Sequence, residues 1–345
     1  MVGVPLLCSR QGPSGAPAEA QPGVLPAALP ALVPPRVATG RPVTLAFGGD
    51  VHFERSSASA LSGGLAAITP LLSRADLTMV NLETAVTSGG TPAAKEYTFR
   101  APPSAFGALS AAGVDVVTLA NNHGMDYGVD GLRDTLASAR EADVPLVGAG
   151  QDETAAFAPF RTEVHGQRLA FLGATQVLDS GLEADWTAGP GKPGLASAKN
   201  EERLLAAVRA ARADGDTVVV DLHWGQEQRS CPLDRQSGLA RRLVDAGADV
   251  VVGSHAHVLL GGGWLSGAYV DYGLGNFVFY ARGGAAAQTG VLTLTVRGHA
   301  VTHAEWAPAV LRGGVPRPLS GAPGDRALAV KERLRDCAGL ASVPG

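Results

Sequence analysis

The chain has 345 residues, 46% of them hydrophobic and 17% charged, with a formal net charge of −4. That length and apolar content predict a globular protein of one large domain or two smaller ones, and the weak negative charge with dispersed Lys and Arg gives no electrostatic case for nucleic acid or an anionic membrane as main partner. Aromatic residues are only 5% whereas Gly (45) and Pro (23) are abundant, which favours many loops at strand ends over a packed helical bundle; no run approaches the ~20 apolar residues of a membrane helix.

Residues 1–40 stand apart. GPSGAPAEAQPGVLPAALPALVPPR is rich in Pro, Ala and Gly and lacks periodicity, so a disordered leader is expected there. Leu6 and Leu7 before Cys8 resemble the end of a lipoprotein signal, without the charged start and full apolar core. An incidental cysteine is the alternative. The folded domain is expected over 41–312, with a tail, 313–345, packed on it.

From Val43 onward, short apolar runs alternate with helix-like stretches. Strands are predicted at 43–47, 77–81, 114–120, 168–175, 217–224, 248–254 and 268–273, and helices at 61–73, 104–112, 130–142, 198–213 and 235–246. Strands apolar throughout and joined by helices imply an α/β fold, a buried sheet with helices outside. The alternating stretch 288–307 predicts an antiparallel hairpin at an edge. Cys231 and Cys337 lie in polar, turn-like contexts, RSCPLD and LRDCAG. A disulfide between them would imply an oxidising compartment; two unrelated thiols are the alternative.

The strongly polar clusters each follow a strand: Asp50 and His52 in LAFGGDVH, Glu83 in MVNLE, Asn121, Asn122 and His123 in TLANNH, His223 in VVDLHW, and His255 and His257 in VVVGSHAH. Ligands of open α/β sheets gather at the carboxyl ends of strands, so these groups are expected to meet. In extended chain, positions i and i+2 project to one side, which would aim Asp50 with His52, and His255 with His257, at common points. Imidazole and carboxylate together suit Zn, Mn, Fe or Co. Two such ions need about seven donors, supplied by Asp50, His52, Glu83, Asn122, His223, His255 and His257, and His123 is left for proton transfer or substrate. The bland reading, scattered polar loop residues, requires five separate post-strand positions to agree by chance.

The order DxH, acidic residue, NH, H, HxH resembles the calcineurin-like metallophosphoesterase superfamily. GDVH, ADLTMVNLE, YTFRAP, VVTLANNHGMDYG, HWGQE, GADVVVGSHAHV and YGLGNFVF resemble the CapA family of capsule and poly-gamma-glutamate synthesis proteins, over about residues 43–280. The resemblance implies a four-layer αββα sandwich with mixed sheets. It implies one metal on Asp50, His52 and His257, a second on Asn122, His223 and His255, Glu83 bridging, and His123 near the leaving group. Glu83 stands where most of the superfamily has Asp. Asp126 is expected to orient His123 or to make a turn. Arg100, Asn121 and Glu227 are substrate-binding candidates, Arg100 with a structural salt bridge as the alternative.

Three functions follow from the resemblance: a dinuclear-metal hydrolase of a phosphoester or amide bond, a metal-independent peptide epimerase using the same pocket, or a non-catalytic polymer-binding component of the envelope. The expected substrate is an anionic polymer, peptide or phosphoester, with envelope assembly partners and an extracytoplasmic or cell-envelope location.

Overall fold

The computed structural model describes residues 1–3, 36–281 and 283–344. Cys8 and nearly all of the expected leader lie outside them. The Arg36 guanidinium donates to the carbonyls of Val244 at 2.8 Å and Ala248 at 2.7 Å.

The strands of the two principal sheets are β1 (Val43–Val51), β2 (Leu77–Leu82), β3 (Val116–Thr118), β4 (Leu146–Val147), β5 (Phe160–Val164), β6 (Gln167–Thr175), β7 (Thr217–His223), β8 (Val250–Ser254), β9 (Gly262–Leu265), β10 (Ala268–Asp271), β11 (Asn276–Val278), β12 (Gln288–Arg297), β13 (Ala300–Arg312) and β14 (Val315–Pro318). The longer helices are α1 (Ser104–Ala111), α2 (Gly128–Glu141), α3 (Glu201–Ala213), α4 (Asp234–Ala246) and α5 (Gly321–Ala338). One sheet runs β14-β13-β12-β1-β2-β3-β4, with β11 beside the end of β1; the other runs β9-β10-β8-β7-β6-β5. Both are mixed. β1 to β4 are parallel, as are β6, β7, β8 and β10, whereas β12 to β14 form an antiparallel meander.

The layers follow from strands that are apolar on both faces. Leu45, Phe47, Met79 and Val116 of the first sheet meet Phe171, Val219, Val250 and Val252 of the second. The opposite face of the first sheet, Val80 and Val117, packs against Phe106, Leu109 and Leu132 of α1 and α2. Val218, Val220 and Leu222 likewise pack against Leu204, Val208, Leu239 and Leu243 of α3 and α4. The result is the four-layer αββα sandwich, with mixed sheets inside and helices outside.

Two predicted elements differ. Residues 61–73 do not form one helix: a 3-10 helix, Arg55–Ser62, stops at Gly63, whose φ is 87°, and a single α-turn, Thr69–Leu72, follows. The Gly63–Gly64 pair lets the chain turn where a helix would have to continue. The hairpin at 288–307 forms as expected at the sheet's edge: β12 pairs with β1, and β14 covers only residues 309–312 of β13. The tail contains α5, which the sequence reading left unassigned. It is fastened by Lys331, whose Nζ donates to Asp271 at 2.9 Å and to the Leu260 carbonyl at 2.7 Å.

Cys231 and Cys337 are joined by a disulfide, with Cα atoms 5.7 Å apart. It ties α5 to the loop between β7 and α4, across a sequence separation of 106 residues. A link of that span restricts the unfolded chain by about 5 kcal/mol on a loop-entropy basis. Reduction, or Cys337→Ser, is therefore expected to lower the melting temperature, and a non-reduced peptide map should contain the linked pair; an unchanged melt and free thiols in the oxidised protein would contradict this.

Candidate metal and substrate site

The polar clusters converge at the carboxyl ends of β1, β2, β3, β7 and β8, the ends to which parallel strands deliver their following loops. Asp50 pairs in register with Asn81 on β2 and with Asn276 on β11. This close approach depends on Gly49, where a Cβ would lie 1.8 Å from the Gly275 carbonyl oxygen. The register then sets the side chains. Asn81 Nδ2 donates to Asp50 Oδ1 at 2.8 Å, and the Asn276 amide oxygen lies 2.9 Å from His257 Nδ1 while its Nδ2 donates to the His257 carbonyl.

Glu83 sits at the middle. It is fully buried, and neither carboxylate oxygen has a hydrogen-bond partner among the described residues. His223 Nε2 lies 3.4 Å and His257 Nε2 3.8 Å from Glu83 Oε1. Burial, and after it the Asp50 charge, pushes the Glu83 carboxyl well above its usual range. His223 Nε2 is 2.8 Å from Asn122 Oδ1, and its Nδ1 faces Ser254 Oγ at 3.0 Å and Asn81 Nδ2 at 3.1 Å. His257 Nδ1 is 3.2 Å from Asp50 Oδ2. Although burial disfavours the His257 cation, the Glu83 and Asp50 carboxylates outweigh it and push the imidazole up to about 10. Burial pushes His255 down to about 3, and His255 Nδ1 is buried without a partner.

Among the described residues, donor atoms come within 4.8 Å of one another in three sets: Glu83, His223 and His255; Asp50, Glu83 and His257; and Glu227, His255 and His257. Glu83, His255 and His257 each belong to two of them, and Glu83 is the one carboxylate so shared. His52 belongs to none. Its ring sits among Phe99, Phe279 and Tyr280, with centroids 4.6, 3.9 and 4.6 Å away. Its Nδ1 accepts from the Glu54 N–H at 3.2 Å and lies 3.1 Å from Ser57 Oγ, while Nε2 is buried and unpartnered. Burial, followed by His123 and His257, pushes it down to about 2.

The expectation that strand alternation aims His255 and His257 together is corrected. β8 ends at Ser254, and both histidines have left-handed backbone, φ 89° and 55°. A turn brings them to the site, with ring centroids 5.9 Å apart, and the His255 N–H donates to Asp50 Oδ2 at 3.3 Å. Positive φ outside glycine carries a cost that surrounding contacts must hold, and such positions cluster at functional sites.

His123 stacks on Phe99, centroids 4.0 Å apart, and its Nδ1 is 2.6 Å from Asp126 Oδ2. Asp126 thus takes the orienting place. Its oxygens also accept from the Phe99 N–H at 2.6 Å and pair with Lys95 at 3.0 Å. Lys95, which the sequence reading passed over, pairs with Asp179 at 2.6 Å as well and donates to the Asn122 carbonyl at 2.5 Å. Asn121 is placed beneath the site. It is fully buried, its Nδ2 donates to Asn81 Oδ1 and the Leu82 carbonyl, both at 2.9 Å, and its Oδ1 accepts from the His123 N–H. Arg100 lies over the Tyr127 ring at 3.7 Å and does not line the cavity. Glu227 does.

That cavity, about 390 Å³, is where His123 and His257 open outward; its other walls are Tyr97, Phe99, Phe279 and Tyr280, with Arg55 and Glu227 as further charged members beside His257. Asn81 was also missed in the sequence. Its signal was the i, i+2 spacing from Glu83 in MVNLE, which the strand geometry turns into a shared site.

Unpartnered atoms on Glu83, His52 and His255, a mixed imidazole, carboxylate and amide donor set, and burial of every donor but the half-buried His257 fit divalent metal ions. The layers and the cluster at their strand ends define an αββα sandwich with a buried His, Asp and Glu cluster at one edge. Residues 44–281 match the family described as bacterial capsule synthesis protein PGA_cap, and the chain belongs to that family. It is 35% identical over 219 residues to the "Capsule biosynthesis protein CapA" of Bacillus anthracis, a stretch covering 62% of this chain and 52% of that protein. It is 36% identical over 215 residues to the "PGA biosynthesis protein CapA" of Bacillus subtilis (strain 168), covering 61% and 55%. The matched stretch thus spans about half the length of these relatives. A solved structure of a hypothetical protein from Thermus thermophilus is similar with a TM-score of 0.50 at 19% identity, covering 78% of this chain and 100% of that one.

Burial is the largest cause pushing Asp126 up to about 7, against the opposing pull of Lys95 and the Phe99 N–H. A raised carboxyl adds stability below its unfolded value, near 4, that is lost as pH rises through about 7. Asp126→Asn carries no such charge, so its stability relative to the unsubstituted protein should rise between about pH 4.5 and 8, by about 2 kcal/mol or more. Denaturant melts at the two pH values test this; a constant difference would contradict it.

Proposed function

We propose that this family member is a hydrolase that uses two divalent metal ions to cleave a phosphoester or amide bond of an envelope polymer or its precursor. The observation that carries the reading is Glu83, a fully buried carboxylate with both oxygens unpartnered amid His223, His255 and His257. Asp50, His257 and Glu83 would hold one ion, and Asn122, His223, His255 and Glu83 the other. His52 stands beside the first set. Bound there, the ions would supply a water acidic enough to ionise near neutral pH and would stabilise charge on the attacked group.

The chain's own residues do the rest. Asp126 fixes His123 Nδ1, which leaves Nε2 as the ring nitrogen available for exchanging a proton with the substrate. Lys95 holds Asp126 and the Asn122 carbonyl together, so the orienting carboxylate and the amide donor move as one unit. Phe99 packs on His123 and limits water around it. The similarity to proteins named for capsule and PGA biosynthesis supports a polymer-related substrate, and the disulfide supports an extracytoplasmic location.

Elemental analysis of the purified protein should find about two divalent ions per chain. Turnover of p-nitrophenyl phosphate or of a γ-glutamyl anilide should be lost with chelator and fall about 100-fold or more in His223→Ala. Full activity in metal-free protein would overturn the proposal. Solvent deuterium entering a peptide substrate without net cleavage would replace it with the epimerase reading.

A further inference from the structure

Arg55 is unlike the other cations near the site. Lys95 is committed to two carboxylates and a carbonyl, and Arg100 lies on Tyr127. Arg55 is exposed, and its guanidinium rests 4.7 Å over the Tyr280 ring; no carboxylate of the described residues pairs with it. The neighbouring Glu54 is engaged elsewhere, accepting from the Arg100 N–H at 3.0 Å. Arg55 also has left-handed backbone, φ 53°, directly at the start of the 3-10 helix. A bulky residue holds that conformation only where its surroundings require it. Stacking on an aromatic face fixes the guanidinium while leaving its in-plane N–H donors free.

The position is equally specific. Arg55, Tyr280 and Ala281 line the site cavity and also a second cavity of about 420 Å³, whose remaining walls are Ser56, Leu311, Gly313 and Gly314. In the second cavity Arg55 is the one ionisable cation or carboxylate on the wall among the described residues. The site cavity itself carries the opposing charge of Glu227. An ionised group that passes the Tyr280 ridge therefore leaves a wall that carries Glu227 for one whose charged member, among the described residues, is Arg55, which favours an anion.

We propose that Arg55 and this second cavity form an oxyanion-binding subsite, taking a carboxylate or phosphate of the same ligand whose reacting bond lies at His123 and Glu83. The placing of the reacting bond rests on the hydrolase reading; the anion selectivity of Arg55 does not. The ligand is then a chain with repeated acidic groups, bound across the ridge, and not a compact monoester confined to the first cavity.

Titration calorimetry on the full chain, with and without chelator, tests this using a glutamate trimer, tripolyphosphate, a glutamine trimer and inorganic phosphate. The unsubstituted protein should bind at least one of the two acidic chains and discriminate against the glutamine trimer. Arg55→Gln should weaken the acidic chain about tenfold or more, and inorganic phosphate, which is too small to span both cavities, by a smaller factor. Arg55→Lys should retain part of the affinity, and Tyr280→Leu, which removes the ring under the guanidinium, should also weaken it if Arg55→Gln proves poorly folded. The glutamate and polyphosphate arms separate a carboxylate ligand from a phosphate one. Unchanged affinity in both Arg55→Gln and Tyr280→Leu, equal binding of the glutamine trimer, or no binding of either acidic chain would overturn the proposal. Because binding is read at equilibrium, a protein without metal or turnover would end the hydrolase reading and leave this result standing on its own.

Discussion

A carboxylate buried without a hydrogen bond is the constraint on which the site depends. Removing a charged group from water costs several kcal/mol even after relaxation, and Glu83 is surrounded by imidazoles that do not hydrogen-bond to it. In the chain alone, burial and the Asp50 charge push the Glu83 carboxyl well above its usual range, so its ionised form is disfavoured there. Divalent ions bound there would relieve the charge more fully, and would account at once for the unpartnered atoms of Glu83 and His255.

The surroundings make that arrangement rigid. Asn81 joins Asp50, His223 and Asn121, so three strand ends share one amide. Gly49 permits the contact between β1 and the segment before β11 that brings Asn276 opposite Asp50. Lys95 spans the Asn122 turn and the Asp179 loop. These groups hold the inner donors by hydrogen bonds from outside, the arrangement by which metal ligands are oriented before the ion binds.

Much of this was legible in the sequence, for reasons that differ by residue. Runs such as TVVVDLH and VVVGS read correctly as doubly buried strands because both faces are apolar. Since a parallel strand places its following loop at a common edge, the donors Asp50, Glu83, Asn122, His223, His255 and His257 could be gathered without a structure. The route was misread for His255 and His257, since a left-handed turn and strand alternation both put two nearby residues together. Asn121 and Arg100 looked like ligand contacts because polar residues beside a site are ambiguous until their partners are known. Their partners prove to be Asn81, Leu82 and Tyr127. Lys95 carried no local signal at all, as its acceptors come from distant parts of the chain.

Anomalous diffraction from crystals of the protein grown without chelator is the most direct test of a bridging Glu83. Two peaks should flank its carboxylate, one shared with Asp50 and His257 and the other with Asn122, His223 and His255. A Glu83 carboxyl that is hydrogen-bonded only to ordered water, with no anomalous peak beside it, would contradict the two-metal site.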